Sequence, residues 1–273
     1  MKKVLSIAGS DCSGGAGIQA DLKTFAAHGV YGMSVIVSVV AENTARVIGT
    51  QDVAPEMIEK QIDAVFQDIG ADAVKVGMLS RSACMRAAAR KLREYGPKNI
   101  VVDPVMVAKN GCPLMQPDSV DTLMREILPL ADLLTPNIPE AETITGAPIR
   151  SAEDMERAAE QIRRLGPKAV LVKGGHASGD ALDVLFDGDR FYRFSAERIP
   201  TKNTHGTGCT YSSAIACDLA LGLGLGEAVK QAKDYVTTAI RHALPIGKGC
   251  GPTNHFYSLY RNGLREGVLS DES

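Results

Sequence analysis

The chain has 273 residues, of which 45% are hydrophobic and 23% are charged, as is usual for a globular protein. Its 30 Lys and Arg residues against 32 Asp and Glu residues give a net charge of −2, which argues against an electrostatic nucleic-acid binder and a polybasic membrane anchor. No apolar run approaches the roughly 18 residues of a membrane span, and the N-terminus is typical of a strand rather than of a signal peptide.

Short β-branched runs alternate with longer helical patterns along the chain. In chain order we predict strand 4–8, helix 17–28, strand 34–40, helix 55–67, strand 73–77, helix 80–95, strand 100–103, helix 117–128, strand 133–135, helix 151–165, strand 169–173, and helices 207–221 and 226–244. Ser80 and Ser151 are the predicted N-caps of their helices. Because most strands are continuously apolar, we expect a mostly parallel sheet with helices on both faces.

Residues 182–186 and 190–194, joined by Asp-Gly-Asp, predict a β-hairpin at an antiparallel edge of the sheet. There is no internal repeat or linker, so we expect one domain over residues 1–273. The six cysteines form no CxxC pair, which favours free thiols in a reducing cytoplasm over a zinc or iron–sulfur site.

Polar and glycine-rich segments follow six of the predicted strands. They are residues 9–17, 42–44, Met78, 103–104, 135–137 and 174–176. Ligands of an open α/β sheet bind outside the carboxyl ends of its strands, so these six loops predict one site.

The glycines of these loops exclude some nucleotide-binding motifs. The sequence contains no P-loop, and no G-x-G-x-x-G follows the first strand, which disfavours a dinucleotide oxidoreductase. The run from His205 to Thr210 is more informative, because Gly206, Thr207 and Gly208 precede a helix of small residues. Free amides at such a helix start form an anion hole suited to a phosphoryl group, although an ordinary helix cap would look the same.

Cys209 lies in the first turn of that helix. A thiol in this position should have a lowered pKa, so that a thiolate could accept a proton from an attacking hydroxyl. A small buried thiol is the alternative interpretation of the same position.

Several segments in order resemble one known family, the hydroxymethylpyrimidine/phosphomethylpyrimidine kinases of thiamine biosynthesis, in the ribokinase-like superfamily. The segments are 8–11 (AGSD), 13–24 (SGGAGIQADLKT), 41–44 (AENT), 75–79 (KVGML), 103–106 (DPVM), 135–137 (TPN), 173–176 (KGGH), 203–210 (NTHGTGCT) and 247–252 (GKGCGP). Each segment is modest alone, but in this order they are highly specific, and the resemblance covers nearly the whole chain.

The resemblance implies an ATP- and Mg²⁺-dependent kinase that acts twice. It would phosphorylate the hydroxymethyl oxygen of 4-amino-5-hydroxymethyl-2-methylpyrimidine, and then the monophosphate to the pyrophosphate. The implied fold is a three-layer αβα sandwich with a small lid, commonly a homodimer. Cys209 stands where most of the superfamily has an aspartate base and matches this branch.

The resemblance also implies substrate contacts. Glu42 would pair with the ring nitrogen and amine of the pyrimidine, and Asp21 would be a second contact. Gly9 and Ala16 would let the ring lie against the main chain, and Met78 would form an apolar wall. A solvated loop glutamate, a helix-surface aspartate and a core methionine are the structural alternatives.

For the nucleotide, the resemblance assigns the metal to Glu140, with Asn137 to orient it and Asp103 as a second candidate. A helix N-cap with an acidic first turn is the alternative for Asn137 and Glu140. Lys173 would lie near the ATP phosphates and Lys233 near the nucleotide, although Lys233 also fits an exposed helix face. A neutral His205 would pack the glycine loop.

The nearest rival is a pyridoxal or pyridoxine kinase of the same superfamily. Some of these enzymes resemble the pyrimidine kinases and carry a second cysteine in the flap after the Asp-Pro-Val-Met strand. Here Ala108 stands at that position and Cys112 follows four residues later, which favours the pyrimidine but leaves activity on B6 vitamers open. A binding module without catalysis is a more distant alternative.

Overall fold

The computed structural model describes residues 1–107, 114–116, 119–175 and 181–263. Ala108, Cys112, His176 and the start of the helix predicted from residue 117 lie outside these ranges.

The strands are β1 (Lys3–Gly9), β2 (Tyr31–Glu42), β3 (Val47–Asp52), β4 (Ala73–Val76), β5 (Ile100–Val102), β6 (Leu133–Leu134), β7 (Ala169–Lys173), β8 (Ala181–Phe186) and β9 (Phe191–Ala196). The helices are α1 (Gly17–Ala27), α2 (Pro55–Asp68), α3 (Ser82–Tyr95), α4 (Val120–Thr122), α5 (Ile138–Thr145), α6 (Ala152–Arg163), α7 (Thr207–Ala220), α8 (Leu225–Arg241) and α9 (Tyr257–Asn262). After α4 the chain continues as a π-helical turn (Leu123–Ile127) and a 3-10 turn (Leu128–Leu130).

These strands form one sheet in the order β3-β2-β1-β4-β5-β6-β7-β8-β9. The pairs from β2 through β1, β4, β5 and β6 to β7 are parallel. Antiparallel pairing is confined to the two ends, where β3 joins β2, and β8 and β9 follow β7. The carboxyl ends of the six central strands therefore open on the same side of the molecule.

Helices cover both faces of the sheet, as the sequence predicts. One core packs Leu5 of β1 against Ile58 of α2 and Met85 of α3. The other packs Val4 of β1 against Phe25 of α1 and Ile215 of α7. Successive strand residues point to opposite faces, so neighbours such as Val4 and Leu5 serve different cores. The three-layer αβα arrangement is confirmed.

Several local predictions hold and others do not. Ser151 caps α6 in a capping box with Asp154, and the hairpin forms the β9 edge of the sheet. The prediction for Ser80 is wrong, because α3 starts at Ser82 after Arg81, and the Ser80 hydroxyl bonds Asp52 instead. The sequence analysis did not predict β3, α5 or α9. Among the described residues, no helix is long and apolar enough to cross a bilayer.

Candidate active site

A cavity of about 650 Å³ opens at the carboxyl ends of the parallel strands. It brings together most of the residues singled out in the sequence. Those that line it are Gly9, Ala16, Glu42, Met78, Asp103, Asn137, Glu140, Lys173, Gly206, Thr207, Gly208 and Cys209. Asp21 and Lys233 do not line it.

Gly206 is the N-cap of α7 and has a φ of 78°, in the left-handed region. A β-carbon there would lie 1.8 Å from the carbonyl oxygen of Gly15. The position therefore requires glycine, and the loop before α1 packs directly on the start of α7. No side chain caps α7, so the amides of Gly208 and Cys209 have no partner among the described residues. They form the anion hole that the sequence indicates.

Asp11 fixes the other half of this junction and was missed as a site residue. Its side chain is 1% exposed. The carboxylate accepts hydrogen bonds from the amides of Ser13 (2.7 Å), Gly15 (2.9 Å) and Ala16 (2.7 Å) and from His205 Nε2 (2.9 Å). Burial opposes ionisation, but these donors hold the pKa of Asp11 well below its usual value. Besides packing the loop as expected, His205 makes a direct hydrogen bond with Asp11.

The expected lowering of the Cys209 pKa is wrong. Burial raises the pKa of this thiol to about 11, and the Asp21 and Asp103 carboxylates act in the same direction. Lys75 and the Gly17 amide oppose this rise without cancelling it. The helix start therefore does not produce a thiolate here, because desolvation of the sulfur outweighs the helix dipole.

Asp21 is not available to contact a ligand, which corrects its assignment as a substrate residue. Its side chain has no exposed surface. Its oxygens accept hydrogen bonds from Lys75 Nζ at 2.8 and 2.9 Å and from the hydroxyls of Ser6 (2.5 Å) and Ser213 (2.8 Å). Lys75 is equally buried but borders the cavity. Although burial disfavours its charge, Asp21 raises the pKa of Lys75, so the lysine stays cationic.

Lys75 was missed because a single lysine in a short apolar strand gives no functional signal on its own. Its place in the 75–79 motif was the only clue. It borders the cavity, its charge is paired with Asp21, and it favours the ionised form of Cys209.

Two carboxylates and one lysine form the opposite wall. Lys173 Nζ donates to Asp103 Oδ1 at 2.7 Å. Glu140 and Asn137 make a capping box at the start of α5, in which Asn137 Oδ1 accepts from the Glu140 amide and Glu140 Oε2 accepts from the Asn137 amide, both at 2.9 Å. Asn137 and Glu140 thus form the helix N-cap that was the alternative interpretation, and both residues also line the cavity.

Burial raises the pKa of Glu140 to about 7; Lys173 opposes the rise and Asp103 adds to it. Because Lys173 is already paired with Asp103, this wall holds one acidic group that no cation compensates. Such a buried carboxylate fits a divalent cation that arrives with a triphosphate.

Lys233 also departs from its prediction. Its ammonium is buried and donates to Asp183 Oδ2 and to the Ala181 carbonyl, both at 2.6 Å. Asp183 in turn accepts from the Gly174 amide at 2.9 Å. Lys233 therefore supports the β8 side of the cavity from behind instead of binding a nucleotide directly.

At the end of the cavity near β1 and β2, Gly9 and Met78 are in close contact. A β-carbon at Gly9 would lie 2.4 Å from the Met78 methyl group. Glu42 ends β2 beside them. Burial and the nearby Asp11 carboxylate raise the pKa of Glu42 to about 7. This end presents the Gly9 backbone and the Met78 side chain with one acid, Glu42, beside them, which suits a small aromatic ring.

A family model described as phosphomethylpyrimidine kinase matches residues 11–254. The chain belongs to this family. The thiamine biosynthesis bifunctional protein of Geobacter sulfurreducens is 54% identical over 253 residues, 92% of this chain but 52% of that protein, so the chain spans about half of its length. The hydroxymethylpyrimidine/phosphomethylpyrimidine kinase of Rhizobium meliloti is 53% identical over 262 residues, covering 94% of this chain and 98% of the relative.

Solved structures agree on the fold. An ADP complex of Bacillus subtilis pyridoxal kinase has a TM-score of 0.89 at 39% identity and covers 96% of this chain and 99% of its own. The phosphomethylpyrimidine kinase of Clostridium difficile has a TM-score of 0.80 at 48% identity and covers 88% of this chain and 100% of its own. The ribokinase-like architecture is thereby confirmed.

Proposed function

We propose that this protein transfers the γ-phosphoryl group of ATP to the hydroxymethyl oxygen of 4-amino-5-hydroxymethyl-2-methylpyrimidine, and then phosphorylates that monophosphate to the pyrophosphate. One observation carries the proposal. The unpartnered amides of Gly208 and Cys209 lie in the same cavity as the Glu42 end, which fits a ring, and the Glu140 wall, which fits a metal–triphosphate. The pyrimidine hydroxyl and the γ-phosphate of ATP would therefore meet at the start of α7.

Phosphoryl transfer needs positioning and charge stabilisation more than covalent chemistry. Glu140 and Asp103 would hold Mg²⁺, with Asn137 setting the orientation of Glu140 through the capping box. When bound, the ion neutralises charge on the β- and γ-phosphates. Lys173, which borders the cavity beside Asp103, would supply a fixed positive charge to the phosphate oxygens. The α7 amides would stabilise the transferring group.

Cys209 would orient the attacking hydroxyl. With a pKa of about 11, only about one thiol in ten thousand is ionised at neutral pH, so a standing thiolate is not the base. The sulfur instead accepts a hydrogen bond from the hydroxyl and aims its oxygen at the phosphorus. As the new O–P bond forms and the bond to the ADP oxygen breaks, the hydroxyl proton passes to an oxygen of the transferred phosphoryl group. In the second step the attacker is a phosphate oxygen that is already ionised, so this contact matters less.

The pyridoxal kinase alternative rests on one observation, the 0.89 TM-score to an enzyme of that name. The relatives that share more of the sequence carry the pyrimidine kinase name. The two substrates compete for the same end of the cavity, and both present an aromatic ring with a hydroxymethyl group.

The parallel turnover of the hydroxymethylpyrimidine, pyridoxal and pyridoxine with ATP and magnesium tests the proposal. We expect kcat/KM to be highest on the pyrimidine, by roughly tenfold or more, the discrimination expected when one substrate pairs with a buried polar group and the other does not. Faster turnover of either B6 vitamer would overturn the substrate assignment, and absence of ATP consumption with all three would favour a binding module.

We further propose that residues 1–273 act as one kinase domain in the cytoplasm, where ATP is available and the free thiols of Cys12, Cys84, Cys209, Cys217 and Cys250 stay reduced. We propose a homodimer. The support is β3, an edge strand on which Ile48 is 66% exposed; Val39, on the neighbouring strand β2, is 55% exposed. Exposed apolar side chains on an edge strand favour pairing with another chain.

A further inference from the structure

We propose that Glu42 binds the aminopyrimidine as a neutral carboxylic acid, and that Asp11, kept ionised by His205 and the amides of its own loop, holds Glu42 in that form. The inference rests on the proposed function and adds the protonation state in which the enzyme recognises its substrate. It makes Asp11 and His205 positioning residues for Glu42.

The three side chains form a compact cluster. One ligand atom of each of Asp11, Glu42 and His205 lies within 4.8 Å of the others. Two carboxylates this close oppose each other's ionisation, so one of them takes up a proton more readily than an isolated carboxyl group would. Their surroundings decide which carboxylate takes up the proton.

Asp11 is the carboxylate that stays charged. Its oxygens receive the three amide hydrogen bonds and the His205 contact described above, all between 2.7 and 2.9 Å. Glu42, in contrast, receives no hydrogen bond on its carboxylate from an N–H or O–H group of the described residues. The proton therefore belongs to Glu42, whose pKa is raised by burial and by the Asp11 charge.

A metal ion could in principle replace the proton, since one histidine and two carboxylates are a common ligand set. The geometry argues against this. The Asp11 carboxylate already accepts hydrogen bonds from four donors. If it bound a cation instead, the Gly15–Ala16 turn that packs on Gly206 would lose the hydrogen bonds that hold it. The site fits a proton better than a metal.

The neutral acid also complements the substrate. An aminopyrimidine presents a ring nitrogen that accepts a hydrogen bond and, next to it, an amine that donates one. A carboxylic acid presents an O–H donor beside a carbonyl acceptor, so the two groups form a pair of hydrogen bonds. An ionised Glu42 would face the ring nitrogen with two lone pairs and lose one of those bonds. No covalent bond changes, and the proton stays between the Glu42 oxygen and the ring.

The titratable groups facing Glu42 are Asp11, from the loop before α1, which raises the pKa of Glu42, and His205, from the loop before α7, which lowers it. Of the other described residues at this end, Gly9 and Met78 carry no charge, and the Cys12 thiol contacts main-chain atoms of Glu42. The Asp11 charge therefore sets the proton affinity of Glu42, together with burial.

Isothermal titration of the protein with the hydroxymethylpyrimidine, without nucleotide and with EDTA present, tests this directly. Titrations in buffers of different ionisation enthalpy give the number of protons taken up on binding. We expect close to one proton per site at about pH 8.5 and close to none at about pH 5.5, because Glu42 must regain its proton only above its pKa. Affinity should fall by up to tenfold per pH unit above about pH 7.

Glu42→Gln is the decisive variant, because glutamine presents the same donor and acceptor without titrating. It should bind the pyrimidine within about threefold of the wild type at low pH, with no proton uptake at high pH. Glu42→Ala should lose at least about tenfold in affinity. Glu94→Gln, at an exposed glutamate of α3 that does not line the cavity, should behave as wild type.

Binding without proton uptake at high pH would overturn the inference while leaving the proposed function intact. So would loss of binding in Glu42→Gln equal to that in Glu42→Ala, or abolition of binding by EDTA. No detectable binding of the pyrimidine by the wild type, with or without nucleotide, would overturn the proposed function itself.

Discussion

Gly206 is the residue on which the geometry of the anion hole depends most. Its φ of 78° excludes a side chain, and so does the Gly15 carbonyl oxygen, which would lie 1.8 Å from a β-carbon at this position. We expect Gly206→Ala to move the start of α7 and lower kcat by at least about 100-fold, the scale of losing one oxyanion-hole donor. Gly224→Ala is the matched control, because Gly224 also caps a helix but has a φ of −66° and open space around it. Similar losses in both variants would refute the account.

Cys209→Ala should affect the two phosphorylations differently. Removing the sulfur deprives the neutral hydroxyl of its orienting contact, so the first step should slow by about tenfold or more. The second step, with an ionised attacker, should change by less than about threefold. Single-turnover rates on each substrate measure this. Cys217 lies on the same helix but in the apolar core, so Cys217→Ala should leave the ratio of the two rates unchanged. Equal losses in both steps for Cys209→Ala would contradict the orienting role.

Glu140 should make the ligand-free protein less stable as pH rises. Its folded pKa, about 7, lies above its ordinary value of 4.5, so between these values the folded state keeps a proton that the unfolded state has released. The free energy of unfolding should therefore fall from about pH 5 to about pH 7 because of this group. Urea unfolding of Glu140→Gln should show a smaller fall over that window. An unchanged slope would mean that Glu140 is not titrating as described.

At the residue scale, sequence reasoning located most of the cavity lining but not the electrostatics. The helix start at Thr207 places Cys209 in the cavity lining, as expected, yet the thiol pKa depends on burial and on Asp21 and Asp103, which come from distant parts of the chain. Asp21 and Lys233 were misassigned for the same reason. Whether a charged residue contacts a ligand or another buried charge is fixed by tertiary packing, which a helix pattern does not reveal.

At the scale of the elements, one buried ion pair connects β4, α1 and α7. Lys75 and Asp21 have no exposed surface, and Ser213 of α7 donates to Asp21 at 2.8 Å. Removing one partner leaves an uncompensated buried charge. Lys75→Met should therefore lower the free energy of unfolding by about 3–5 kcal/mol.

The double variant Lys75→Met with Asp21→Asn should be less destabilised than Lys75→Met alone, because neither side chain then carries a charge. Denaturant unfolding curves measure both. Lys168→Met, at a surface pair with Asp132 in which Lys168 is 79% exposed, should change stability by less than about 1 kcal/mol. A Lys75→Met effect as small as that would show that the pair does not join the three elements.

The elements that the sequence missed are those with weak patterns. In β3, four of the six residues are exposed, so no alternation marks it as a strand, and its pairing with β2 defines it. Helix α5 has only eight residues, and its Asn137–Glu140 capping box has the sequence pattern of a metal site. Longer strands with both faces covered, such as β7, were predicted to the residue because burial on both sides leaves a continuous apolar run.

At the scale of the whole molecule, the β3 edge should mediate the proposed homodimer. We expect the wild type to have twice the monomer mass by light scattering. Ile48→Glu should shift it toward the monomer, because a charge replaces an exposed apolar contact. Met57→Glu is the control, since Met57 is similarly exposed at 50% but lies on α2. A monomeric wild type, or the same shift in both variants, would contradict this use of the edge.

The position of the site was predictable at this scale, because the carboxyl ends of parallel strands must share one side of a sheet. Six loops far apart in sequence therefore had to converge, and the cavity lies where they do. Topology does not predict which of the two candidate substrates, the hydroxymethylpyrimidine or a B6 vitamer, fits that cavity. That choice depends on a few side chains at the Glu42 end.

The most direct test of the central claim is a ³¹P NMR time course of the protein with ATP, magnesium and the hydroxymethylpyrimidine. We predict a pyrimidine monophosphate signal that rises first and then declines as the pyrophosphate appears, with stoichiometric ADP at each stage. A spectrum in which no phosphorus becomes attached to the pyrimidine, with pyridoxal phosphorylated under the same conditions, would contradict the account.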